Sequence, residues 1–411
     1  MPPQSEPRVQ STMNPQATLR SSRQDGRRSA WTALVAILLH STILDPVLAV
    51  GARQASDFQH RLGHLTRVGA PGALALVRVD GRTWMGSAGM ADRGTGRKAK
   101  TEDVWRIASV TKMVTAVIVL QLSRERRLDL DDAVGKYLAD LRREAGAVTI
   151  RQLLDHSSGL AEYLSDDAFG GSAATLLKMI KSPSSTQAMV AIALAQEWLP
   201  DPLAEHQYAN TNYVLLERVI EAVTGQSYKN VVNTQLIDRL RLLRTGFPDA
   251  QGRLPRAHLK AYIPRDSIRG PFTDTQRLVD VTTHPYFLGG DGGLYSTLFD
   301  MSLIFDAIWS GRLGDARLFE TMIGRLKSDH DGLYRYGFGV MAVSLSCGVT
   351  IYGHEGLDFG STTIAFSDRT NRRQMILVVN ARRETNKKLD SEVLAFQSRV
   401  FCGSGRSAPM K

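Results

Sequence analysis

Residues 105–122 read WRIASVTKMVTAVIVLQL, and the architecture of the chain unfolds from them. After Ala108, the residues Val114, Val117, Ile118 and Leu122 recur at helical spacing, which predicts a helix with one strongly apolar face. Ser109 and Lys112 stand three apart at its start, so on a helix they share a face. A hydroxyl is a weak nucleophile at neutral pH unless a neighbour takes its proton, and a partly desolvated lysine one turn away can do so. The N-terminus of the helix adds the Ser109 backbone N–H and a positive dipole end toward a developing oxyanion. Taken alone, a serine and a lysine at this spacing also describe an ordinary surface pair.

Upstream, a short helix is expected from Ser56, then strands over residues 73–79 and 82–90 joined by Asp80-Gly81, a strong hairpin signal. Downstream, further helices are expected over 149–154, 175–181, 186–197, 213–224 and 228–236, so residues 108–285 read as mostly helical. Gly289-Gly-Asp-Gly-Gly293 marks a loop, and 298–309 an amphipathic helix. Strands are expected over 336–343, 350–354, 361–367 and 373–380, and a closing helix over 389–401. Early strands, a helical middle and late strands predict one sheet assembled from both chain ends, with the middle as a second lobe.

The composition is 43% hydrophobic and 22% charged, which excludes collagen-like, disordered and polytopic membrane classes. Lysine and arginine number 51 against 41 acids, a net +10 that suits nucleic acid, an anionic cell wall or a membrane surface equally. The clusters Arg369, Arg372, Arg373 and Arg382, Arg383, Lys387, Lys388 flank one expected strand and are read as solvated turns. Nucleic acid is therefore not expected as a partner. The 289–293 loop lacks nucleotide-binding spacing, and no P-loop, H-E-x-x-H or G-x-S-x-G motif occurs; neither metal nor cofactor is expected.

The paired Arg27-Arg28 precede an apolar run over 31–44, followed by small-residue sites around Ala49 and Ala52. The run is shorter than the ~20 residues of a membrane span, so residues 1–52 are expected to be an export signal rather than an anchor. The two cysteines, Cys347 and Cys402, would be buried thiols in a reducing cytosol and a disulfide in an exported protein.

Two more motifs join the serine–lysine pair: Tyr208-Ala-Asn210 before another apolar helix, and Gly353-His-Glu-Gly356 at the end of a late strand. Each alone is a packed tyrosine with a capping asparagine, or a histidine in a turn. Together and in this order they resemble the secreted serine D-alanyl-D-alanine carboxypeptidases and class C β-lactamases, penicillin-recognising serine hydrolases. The similarity runs from about Gly69 to Gly403 and includes GAPGALALVRVDG, WRIASVTK, VTIRQLLDHSSGL, YANTNYVLLERVIEAVTGQSY and LSCGVTIYGHEG. The resemblance implies an α+β fold of the β-lactamase/transpeptidase type: an antiparallel sheet flanked by helices plus an all-helical lobe. The domain would span 53–403, with the sheet lobe over 56–107 and 290–403, the helical lobe over 108–289 and a tail over 404–411.

By the same resemblance Ser109 is the acylated nucleophile and Lys112 its proton acceptor or electrostatic partner. Tyr208 is the general base, with a pKa lowered by Lys112 and His354; Asn210 bonds Lys112 and the substrate amide. The backbone N–H groups of Ser109 and Leu357 form the oxyanion hole, and Asp155-His156 is structural. The contexts LSCG and FCG resemble those of the actinomycete carboxypeptidases, whose equivalents are disulfide-bonded, which implies a Cys347–Cys402 bridge. Gly356, Glu355 and Met341 fall at substrate-binding positions. There Glu355 replaces a hydroxyl residue and Met341 an arginine that anchors the substrate's terminal carboxylate, with Arg335 a nearby substitute. The expected function is an exported, monomeric D,D-carboxypeptidase-like hydrolase of peptidoglycan-type peptides, with cell-wall association and β-lactams among its ligands. Esterase, D-amidase or β-lactamase action and a non-turnover penicillin-binding sensor are the alternatives.

Overall fold

The structure, a computed structural model, describes residues 48–164, 178, 180–181, 185–197, 207–264, 278–285, 289–313, 315–329, 332–383 and 386–403. Its centre is a sheet of strands β1 (Leu48–Ala49), β2 (Gly72–Val79), β3 (Arg82–Asp92), β4 (Lys327–Ser328), β5 (Arg335–Tyr336), β6 (Met341–Ser344), β7 (Thr350–Asp358), β8 (Ser361–Asp368) and β9 (Arg373–Val379). Their order is β1-β3-β2-β9-β8-β7-β6-β5-β4, with the short strand Arg97–Lys98 added on β3. All pairings are antiparallel except β1 with β3. The seam between the two chain ends is β2 on β9, where Ala73 faces Val379 and Val79 faces Arg373.

The β2–β3 hairpin turns as its sequence demands. Asp80 and Gly81 both take positive φ, 48° and 77°, the twist that a two-residue hairpin loop needs. Central strands β2, β8 and β9 are buried almost throughout because helices cover both faces. On one face lie α1 (Ala52–Arg67) and, from the far end of the chain, the closing helix Lys387–Cys402. Their Phe58, Leu62, Leu65, Val393 and Phe396 form a fully buried layer with alternate residues of the strands.

The other face meets the helical lobe. Its axis is α2 (Thr111–Arg124), apolar on nearly all sides and buried accordingly. Beyond it come α3 (Ile150–Leu154), opened by a Thr149–Gln152 capping box, α4 (Thr186–Leu194), capped by Ser185, and α5 (Asn210–Thr224), closed by Gly225 at φ 68°; α5 packs on α2, and α3 and α4 pack on α5. Helix α6 (Leu298–Trp309) packs under β2 and β9; the closing helix is α7. Cys347, in the β6–β7 turn, is disulfide-bonded to Cys402 at the end of α7, with Cα atoms 6.0 Å apart.

Four expected elements differ. The strand over 336–343 is a hairpin, β5 and β6, because Gly337 N–H bonds the Val340 carbonyl and Gly339 turns at φ 70°. The helix over 228–236 is helical only to Val232 and then widens into a π-turn, Asn233–Ile237. The strand over 350–354 continues to Asp358, and the first helix starts at Ala52, inside the segment read as an export signal. The helix over 175–181 lies outside the described residues apart from 178, 180 and 181.

Candidate active site

The chain reaches Ser109 through a tight approach. Trp105–Arg106 pairs with Tyr295–Ser296, Trp105 Nε1 bonds Thr363 Oγ1 of β8, and Ile107 N–H bonds the Leu294 carbonyl. Ala108 then adopts φ 48°, a left-handed conformation costing an alanine ~1–2 kcal/mol, before the single 3₁₀ turn Ala108–Val110 leads into α2. The bend sets Ser109 at the mouth of α2.

One turn on, Lys112 is fully buried. Its Nζ donates to Ser109 Oγ at 2.9 Å, Asn210 Oδ1 at 2.7 Å and the Asp291 carbonyl at 2.7 Å, so each ammonium proton has an acceptor. Burial pushes the ammonium down to about 8, against the pull of Asp291 and Glu162. Asn210 opens α5 and is itself clamped: its N–H and Nδ2 both donate to Glu162 Oε2, at 2.6 and 3.0 Å. The Asp291 side chain accepts from Tyr163 at 2.6 Å, and Gly290 N–H donates to Glu217 Oε2 at 2.7 Å, which fixes the 289–293 loop from both sides.

The neighbouring Ser109 hydroxyl draws the Tyr208 phenol's pKa down, and the Lys112 ammonium lies 5.0 Å from its ring centroid. Behind it His156 packs at 4.4 Å, its Nδ1 taken by Asn212 Nδ2 at 2.9 Å. Burial raises the Tyr208 hydroxyl well above its ordinary value, with the Ser109 hydroxyl opposing in smaller part. The lowered pKa expected of this tyrosine is therefore not what its surroundings produce. His354 cannot help lower it. Its Nδ1 bonds the Glu355 carbonyl and its Nε2 meets the Tyr336 hydroxyl at 2.9 Å, while burial and then the Lys112 charge hold the imidazole down to about 3. A neutral ring with Nδ1–H donating and Nε2 accepting fits both bonds.

Strand β7 outruns β6, whose pairing stops at Gly353, so residues 354–358 keep one edge toward the Ser109 turn. Gly356 is needed there: a Cβ would stand 2.1 Å from the Ile107 carbonyl oxygen. Leu357 follows, 44% exposed. Side chains alternate along β7. His354 shares its face with Ala365 of the lobe-side core, whereas Glu355 shares the opposite face with Ile364.

Ser109, Lys112, Tyr208, Asn210 and His354 thus come together, with Gly356 and Leu357 beside them, while Glu355 and Met341 do not. Met341 packs against the α1–α7 layer. Glu355 is held by Arg383 Nη2 at 2.8 and 2.7 Å, and Arg383 Nη1 lies 3.2 Å from Asp390 in the first turn of α7. Arg383, read from sequence as part of a solvated turn, is mostly buried in this pair; Arg373 likewise donates to the Val400 and Phe401 carbonyls. Arg335 is exposed on β5. Sequence reasoning missed Glu162, Asp291, Glu217 and Tyr336. The glycine-rich run around Asp291 carried a local signal, and the resemblance covered Glu217 and Tyr336 without giving them a role.

A sheet built from both chain ends, with a lobe inserted between and a serine–lysine pair at their junction, defines a serine hydrolase of the penicillin-recognising superfamily. The chain belongs to the Beta-lactamase family, whose family model matches residues 55–397. A D-stereospecific amidohydrolase from Streptomyces sp. has a similar structure, with a TM-score of 0.73 and 30% identity, over 85% of this chain and 99% of that one. A D-amino acid amidase from Ochrobactrum anthropi SV3 superposes with a TM-score of 0.72 at 21% identity, over 84% and 98% of the two chains, a likeness of fold. Teichoic acid D-alanine hydrolase of Staphylococcus aureus is 27% identical over 251 residues, 61% of this chain and 57% of its own length. Penicillin-binding protein 4 of Amycolatopsis lactamdurans is 32% identical over 176 residues, 42% and 43% of the two chains.

Proposed function

We propose that the protein hydrolyses amides, esters or short peptides of D-amino acids through an acyl-enzyme on Ser109. The observation carrying this reading is the Lys112 ammonium, buried and hydrogen-bonded to Ser109 Oγ at 2.9 Å. Ser109 Oγ attacks the carbonyl carbon as its proton passes to Lys112 in its neutral form, the group whose pKa lies nearer the working range. The N–H groups of Ser109 and Leu357 receive the oxyanion. Tyr208, a phenol at rest, relays a proton to the leaving nitrogen or oxygen, and a water then releases the acid. Asn210 holds Lys112 and the substrate amide; the neutral His354 and Tyr336 form the wall behind Tyr208. Secretion, cell-wall association, a monomeric state and β-lactam acylation belong to the same proposal.

The relatives named for D-amino acid amides and D-alanine support a D-configured acyl group. For the leaving group, a neutral amide or ester fits better than a peptide with a free terminal carboxylate. The two positions at which that carboxylate would be anchored, Met341 and Glu355, face the α1–α7 layer, and the nearby Arg383 is engaged by Glu355. A fluorophosphonate or fluorescent penicillin should label the protein and fail to label Ser109→Ala; labelling of the variant, or none of the wild type, removes the reading. In a panel of matched peptide acids, amides and esters, the amide or ester is expected to turn over at least as well as the acid. Met341→Arg with Glu355→Thr is expected to leave kcat/KM for the acid within about threefold, since side chains on the far face gain no contact with it. A strong preference for the acid restores the carboxypeptidase reading.

A further inference from the structure

One surface of the lobe takes no part in this chemistry. Residues 238–244 read DRLRLLR. Asp238–Leu240 form a last helical turn, which Arg241 ends at φ 53°. Leu242 turns inward and is buried, its N–H on the Ile237 carbonyl, while Leu243 stands 89% exposed. It cannot withdraw, because Arg244 N–H and Thr245 Oγ1 on its other side are both bonded to Asp300 Oδ2, at 2.8 and 2.9 Å. Phe299, beside Asp300 at the start of α6, is also exposed.

Arg239, Arg241 and Arg244 lie on the same segment as Leu243, and the backbones of Arg312 and Arg256 meet it. Arg239 donates to the Arg312 carbonyl at 3.1 Å and Arg244 to the Arg256 carbonyl at 3.5 Å, which brings those two chain segments beside residues 239–244. None of the five forms an ion pair among the described residues, in contrast to Arg253, Arg369 and Arg372. The acids at hand do not neutralise them. Asp300 is buried and faces inward, and the Glu102 carboxyl is held below its ordinary value first by the Thr101 hydroxyl and only in smaller part by Arg244. Asp238 is the remaining exposed carboxylate on the segment.

We infer that this patch seats the protein on an anionic phospholipid bilayer, with Leu243 and Phe299 entering the headgroup–acyl boundary and the arginines facing lipid phosphates. Among the described residues no helix is long and apolar enough to cross a membrane. Attachment through the patch is therefore peripheral, combining the two weak signals that reversible binding needs: apolar insertion and basic charge. Charge alone would equally suit a soluble polyanion. A leucine held out in water gains nothing from a polyphosphate, however; it gains only from an apolar phase. This inference does not depend on the substrate.

The test is co-sedimentation of the full chain with vesicles of phosphatidylcholine plus phosphatidylglycerol, against phosphatidylcholine alone. Binding is expected to the anionic vesicles only and to weaken with salt. Arg239→Gln with Arg241→Gln should lower it about thirtyfold, and Leu243→Ser about tenfold. Arg372→Gln, which removes a charge outside the patch, should leave it unchanged, and thermal unfolding should be the same in all variants. Absence of binding to anionic vesicles overturns the inference. So does an equal loss in Arg372→Gln, which would make net charge responsible. Competition by soluble poly(glycerol phosphate), with Leu243→Ser binding as tightly as wild type, would assign the patch to a polyanion instead.

Discussion

Lys112 is a buried cation with a complete set of acceptors, and its proton is the one most easily lost near neutrality. The acylation rate is expected to rise with pH around a midpoint of about 8, measured by stopped-flow labelling or ester turnover. Lys112→Arg, which stays protonated throughout, should lose that rise together with a factor of about 10²–10⁴ in rate. A flat wild-type profile would move the proton acceptor elsewhere. Glu217 poses the converse case: burial pushes its carboxyl up to about 8 from an ordinary 4.5. Between those values the folded state holds a proton that the unfolded chain has released, so this residue lowers stability as pH rises through the window and no further above it. Glu217→Gln keeps an acceptor for Gly290 N–H without the proton. Its melting temperature should exceed the wild type's by a few degrees, with a gap that widens up to about pH 8 in calorimetric scans. An unchanged gap across that range would mean the carboxyl titrates normally.

Reading such residues from sequence succeeds where the chemistry is local. Ser109 and Lys112 share one helical turn, and Tyr208 with Asn210 sits at one helix start, so each pair is visible locally, and the three motifs in order, with the resemblance they carry, supply the roles. Glu162, Asp291 and Glu217 reach the site from three separate segments, and Asp291 acts on Lys112 through a backbone oxygen that no residue type advertises. Arg383 looked like surface because its partner, Glu355, is on β7, far away in sequence.

At the scale of elements, the meeting of β7 with the Ser109 turn decides the geometry. Gly356 permits contact with the Ile107 carbonyl, and Ala108 bears a left-handed backbone to complete it. Gly356→Ala must push β7 outward, so kcat on a soluble ester should fall by about a hundredfold or more, as for loss of an oxyanion donor, while circular dichroism remains native. Retained activity would show that the Leu357 N–H is not needed. Turn chemistry explains which elements were legible. Asp80-Gly81 announces its hairpin in two residues, whereas the β5–β6 hairpin hides inside an apolar run, YGFGVMAV. Its turn depends on Gly339 fitting beside the Lys112 carbonyl, 2.8 Å from where a Cβ would stand. That contact belongs to α2 and leaves no mark in the local pattern.

At the scale of the whole molecule, the only cysteines tie the β6–β7 turn to the last helix across a separation of 55 residues. By chain entropy the bond stabilises the fold by up to about 4 kcal/mol. Cys347→Ser with Cys402→Ser should lower the urea midpoint correspondingly yet leave turnover by folded protein intact, because Cys347 lies in a surface turn and Cys402 at a helix end. An unchanged midpoint would mean α7 is held by its apolar layer alone.

The β2–β9 seam has a consequence in time. Gly72 N–H finds its acceptor on Asn380, 308 residues later in the chain. A ribosome delivers the β2–β3 hairpin early, and one edge of β2 then waits for the last sheet strand to emerge. Throughout that interval it offers bare N–H and C=O groups to any passing strand. A message cut short before Arg373 would leave an adhesive hairpin rather than a weakened enzyme.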